Sequence, residues 1–176
     1  MRTSSAADLW DELAAGAAAE SPLWAEALRP GGDQEHEPVF SLLGPPEHAL
    51  GVETIYEGYL VHYGRPRLFE PQDRDTALLL GDYLYAHGLV RIASLGNTVA
   101  VHDLAELISV CARLRGEDEP GDGIVWAATA LELGTGALDL PRSAYRETGD
   151  LNPFAALVRD ADAALARHAE RVSYAR

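Results

Sequence analysis

Residues 53–82, ETIYEGYLVHYGRPRLFEPQDRDTALLLGD, read as the end of one helix, a stop and the start of another. Pro45-Pro46 opens the first of these helices, predicted over 46–63. Gly64-Arg65-Pro66 ends it, because proline disfavours helix at the residue before it and lacks a backbone N–H. Asp73 is placed to cap a second helix over 73–94. Ala77, Leu78, Leu80, Tyr83, Leu84, Leu89, Val90 and Ile92 make that helix apolar over much of its girth, the pattern of a helix covered on several sides.

Outward from this pair the chain continues in helical period. Ser4 or Ser5 is expected to cap a helix to about Ala19, with Leu9, Trp10 and Leu13 on one face. Ser21-Pro22 opens a short helix that ends before Pro30-Gly31-Gly32. Residues 30–44 read as a loop whose Val39, Phe40, Leu42 and Leu43 dock on the core. After Gly96-Asn97, a helix over 98–115 carries Val101, Leu104, Leu107, Ile108, Cys111 and Leu114 at helical spacing. Helices follow over 124–133 and from Pro141 to Glu147, and a last one is predicted unbroken over 153–172. With abundant alanine and no strand alternation, the expected fold is all-α, a single domain over 1–176 built as a bundle of about six to eight helices.

Charge narrows the partners. There are 14 basic residues against 28 acidic ones, a net charge of −14, and every basic residue is arginine. Such a surface repels nucleic acid, and any anion must be held by arginine forks or helix N-termini. Cys111 stands alone, which excludes an internal disulfide, and is expected to be a small buried hydrophobe. No run of 18 apolar residues and no signal-peptide pattern stands out, so no membrane span and a cytoplasmic protein are expected. His62, His87 and His102 lack ligand spacing.

The opening stretch resembles the trans-polyprenyl diphosphate synthases, the isoprenoid-synthase fold. In that family an aspartate-rich helix precedes a basic G-x-P turn, and a long helix then opens into A-G-D-x-L. Gly64-Arg65-Pro66 matches the turn, Leu80-Gly81-Asp82-Tyr83-Leu84 the later landmark, and the likeness spans about residues 45–115. The aspartate-rich position falls on Glu53-Thr54-Ile55-Tyr56-Glu57. Members of the family hold magnesium there, and the metal carries the diphosphate of an allylic substrate.

The resemblance makes Glu53 and Glu57 the candidate Mg²⁺ ligands, an i, i+4 pair in which Thr54 replaces the middle carboxylate. Read as ordinary helix residues, the same two are solvent-exposed carboxylates that tolerate glutamine. Arg65 and Arg67 are the candidate anion contacts, while His62-Tyr63 stand where the family has paired arginines and its substrate-binding lysines have no counterpart. A second aspartate-rich motif has only Asp160-Ala161-Asp162 to offer, more simply a solvated helix face. Asp82, in an apolar helix, is expected to be buried with a partner.

No catalytic residue is assigned. The resemblance implies a non-catalytic subunit that forms a homodimer, or a heterodimer with a catalytic polyprenyl synthase subunit, through helices 73–94 and 98–115. Tyr83, Leu84 and His87 are its expected contacts. The alternatives are a small enzyme that binds magnesium and prenyl diphosphate, and a helical scaffold unrelated to isoprenoids.

Overall fold

The computed structural model describes residues 6–172, and the fold is all-α. Helices α1 (Ala6–Glu20), α2 (Pro22–Glu26), α3 (Ala49–Tyr63), α4 (Arg74–Ala93), α5 (Thr98–Gly116), α6 (Asp122–Leu131), α7 (Asp139–Thr148), α8 (Asn152–Ala155) and α9 (Asp162–Val172) follow in chain order, with three 3₁₀ turns between α2 and α3. The predicted cap at Ser4 or Ser5 lies outside the described residues.

Side-chain caps fix three starts. Ser21 accepts from the Leu23 N–H, Asp73 from the Thr76 N–H, and Asn97 from the Ala100 N–H. The segment predicted as one helix over 153–172 instead divides into α8 and α9, with Asp160 between them at φ 52°. Aspartate is among the few non-glycine residues that tolerate this region. The break lets α9 turn back over α3 and bring His168 and Arg171 inward.

The centre is the α3/α4 pair. Every residue of α3 from Gly51 to Leu60 is buried. Gly51 lies against Gly88 and Gly58 against Gly81, so the two helices run antiparallel with glycines seven apart on each. A Cβ on Gly58 would sit 2.9 Å from the Gly81 carbonyl oxygen, and one on Gly88 would sit 3.0 Å from that of Gly51. Backbones this close leave no room for a side chain.

Two apolar clusters flank the pair. The larger joins α3, α5, α6, α8 and the Val39-Phe40 segment around Trp126. The smaller joins Trp10 and Leu13 of α1, Trp24 of α2, Leu68-Phe69, and Leu80 and Leu84 of α4. Val39 and Phe40 dock as expected, but Leu42 is 67% exposed. No helix among the described residues is long and apolar enough to cross a membrane.

Candidate functional site

Glu53 and Glu57 project from the same side of α3 and are not on the surface. Both are fully buried, and so is Arg67, which lies between them. The GRPR turn reverses the chain, so Arg67 returns alongside the helix that precedes it. Arg67 Nη1 donates to Glu53 Oε2 at 2.5 Å, and Nε donates to Glu57 Oε2 at 2.9 Å. The other two carboxylate oxygens accept backbone N–H groups: Val39 and Ser41 donate to Glu53 Oε1, Arg67 and Leu68 to Glu57 Oε1. Carbonyls of Glu37 and Glu53 take further guanidinium protons.

Trp10 lies over the guanidinium, 4.5 Å from ring centroid to Cζ, and Tyr56 lies at 5.0 Å. One cation and four backbone dipoles thus face two carboxylates, which is how a buried charge cluster is tolerated. Burial alone would lower the Arg67 pKa. The two carboxylates outweigh it and hold the guanidinium above its ordinary value.

The expectation of exposed carboxylates is therefore corrected. The arrangement also does not fit a magnesium ion, because all four oxygens already accept hydrogen bonds and an arginine occupies the space between them. Among the described residues, no group of three or more His, Cys, Asp or Glu side chains is arranged to hold a metal.

Arg65 and Arg67 diverge. Arg67, predicted to meet an anion, meets the chain's own. Arg65 is half-exposed and pairs with Glu35 at 3.2 Å. Arg171 reaches the same glutamate, and Arg167 reaches Glu37 at 2.6 Å, so arginines strap the 35–37 segment down from several elements. Asp82 is a second correction: its side chain is largely exposed, and it faces His62 at 3.2 Å. Burial lowers the His62 pKa against the pull of Asp82. Asp160 and Asp162 are exposed.

The contact residues fare unequally. Leu84 is 1% exposed and belongs to the smaller cluster, while Tyr83 stacks on Trp24 of α2 and on His87. The chain's own α1 and α2 thus supply the cover expected from a partner on that face. A different face of α4 stays bare: Leu79 is 57% exposed and Val90 64%, with Asp82 and Ala86 on the same side.

Sequence reasoning passed over a second polar cluster on α3, which adjoins the first at Tyr56. Asp122, at the start of α6, accepts from Tyr59 Oη, from Arg115 Nη2 at 2.6 Å and from His168 Nε2 at 3.1 Å, all on Oδ2. With Nε2 donating, His168 Nδ1 accepts from Tyr56 Oη at 3.0 Å. Burial alone would raise the Asp122 pKa, but His168, Tyr59 and Arg115 hold it well below the usual carboxylate range. Burial pushes the Tyr56 and Tyr59 hydroxyls and the Cys111 thiol up. Tyr56, Tyr59 and Cys111 are all shielded from solvent, so the histidine–aspartate–tyrosine set has no accessible nucleophile. The one signal available was an aspartate following the Pro120-Gly121 turn.

A third buried pair ties Arg142 of α7 to Asp103 of α5 at 2.6 Å, with the Gly134 N–H on the other Asp103 oxygen. Comparison of the chain with family models, with curated proteins and with solved structures returns no match.

Proposed function

We propose that the chain is a non-catalytic, polyprenyl-synthase-like subunit that acts by pairing helices with a partner chain. The observation that carries this reading is the occupation of all four Glu53 and Glu57 oxygens by Arg67 and backbone amides. Where the resemblance puts metal-holding carboxylates, this chain spends them inside its core. Without that metal, a departing diphosphate lacks its main charge stabilisation.

Pairing then falls to the bare side of α4, where Leu79, Ala86 and Val90 lie in one stripe; Leu95 in the following turn and Val99 in the first turn of α5 are exposed as well. Between Leu79 and Val90 the stripe holds one acid, Asp82, which faces His62 at 3.2 Å. On a chain of net charge −14, a face so poor in charge is where a second acidic chain meets least repulsion. The partner is a second copy or a catalytic polyprenyl synthase subunit.

Two measurements test the reading. Incubation with isopentenyl and allylic diphosphates plus magnesium is expected to give no elongated product. Light scattering at tens of micromolar is expected to show a particle larger than the 18.9 kDa chain, alone or with a synthase subunit added. Leu79→Glu with Val90→Glu is expected to split that particle without loss of helicity, because both residues are exposed. Turnover favours the small-enzyme reading. A monomer that captures no synthase subunit favours a scaffold unrelated to isoprenoids.

A further inference from the structure

An open groove of about 520 Å³ runs between α1 and the 38–50 segment. Its walls are chiefly apolar: Trp10, Pro38, Leu42, Pro46 and Leu50 contribute most of the side-chain bulk. The volume is that of a site for a small molecule. Among the described residues no lining side chain is cationic, and the two charged ones are Glu12 and Glu47. Glu47 is exposed, and Glu12, also exposed, reaches Arg91 only at 3.8 Å. The floor adjoins the buried Glu53–Arg67–Glu57 cluster, since Trp10 covers Arg67 and the Ser41 N–H donates to Glu53.

We propose that this groove binds a small amphiphile with an apolar body and a cationic head group. The apolar walls take the body, which leaves water. The two carboxylates attract a positive head and repel an anionic one. Among the described residues no arginine lines the groove to hold a phosphate or carboxylate, so this site would refuse the diphosphates of isoprenoid metabolism. The inference rests on the groove alone and does not depend on the subunit reading.

The test uses three probes with the same ten-carbon tail: decyltrimethylammonium and decyl sulfate, each below its micelle concentration, and decanol below its solubility limit. Calorimetry on the full chain is expected to show saturable one-to-one binding of decyltrimethylammonium, about tenfold weaker binding of decanol, and weaker binding still of decyl sulfate. Glu47→Gln is expected to narrow the gap between the cationic and neutral probes several-fold. Leu42→Arg puts a positive charge at a position already 67% exposed, so the fold and melting curve stay unchanged while saturable binding is lost. Equal affinity for the cationic and neutral probes, or preference for the sulfate, overturns the proposal. So does unaltered binding in Leu42→Arg, which would place the probe elsewhere on the acidic surface.

Discussion

Two adjoining sides of α3, which share Tyr56, hold their buried charge in different ways. On one side Glu53 and Glu57 are closed by Arg67, which lies 14 and 10 residues further along the chain. On the other side Tyr59 and Tyr56 reach Asp122 and His168, which lie 63 and 112 residues further along. The first cluster is a local clip whose ion pairs close through a single turn, with Trp10 and the 39–41 segment sealing it from water. The second assembles only when α6 and α9 have come home, and Arg115 keeps part of it near solvent. The clip therefore has no fallback when one member is lost, whereas water can replace partners at the edge of the Asp122 cluster.

Arg67→Met is expected to have the largest effect. It strands two buried carboxylates and should cost about 3–5 kcal/mol in urea unfolding, a large part of the stability of a typical domain. A loss below 1 kcal/mol would mean that water reaches the clip. Gly88→Ala comes next. Its methyl group meets Ile55 and the Gly51 carbonyl, and the expected cost is about 1–3 kcal/mol, visible as a lower melting temperature.

Asp122→Asn is expected to cost roughly 1–3 kcal/mol at neutral pH, because Tyr59, Arg115 and His168 keep a weaker acceptor. Its pH dependence distinguishes it from the glycine variant. The folded Asp122 pKa lies below the unfolded value, so its contribution is complete above the ordinary carboxylate pKa of about 3.9 and drains away as pH falls below it. The stability gap between wild type and Asp122→Asn should shrink from pH 7 to pH 3, and a constant gap would contradict the assignment. Arg65→Ala is expected to have the smallest effect, about 0–1 kcal/mol, because the half-exposed pair with Glu35 is screened and Arg171 also holds that glutamate.

The same contrast explains what could be read from the sequence. The helices flanking GRPR, the Asp73 cap and the burial of Val39 and Phe40 follow from local propensity and periodicity, and they appear as expected. The i, i+4 pairing of Glu53 and Glu57 was legible too, as was the presence of two arginines in the turn. That Arg67 folds back between the glutamates depends on how the turn exits, which residue type alone does not encode. The seven-residue glycine spacing, 51 and 58 against 81 and 88, was a visible sign of close helix packing. At Gly81 the space a Cβ would take is filled by the His62 ring of α3. Leu84 was misjudged because α1 and α2 lie far from it in sequence yet cover it in space. Asp122 and His168 carried no pattern linking them.

The central claim is that the carboxylates at 53 and 57 exist to hold Arg67. A double-mutant cycle on Arg67→Met and Glu57→Gln tests it most directly, since glutamine keeps an acceptor for the Arg67 and Leu68 amides while the charge is removed. Urea unfolding of the wild type, both single variants and the double variant should give a coupling energy of about 2–3 kcal/mol, with the double variant more stable than Arg67→Met alone. Additivity within about 0.5 kcal/mol would contradict the account, because it would mean that glutamate and arginine do not depend on each other.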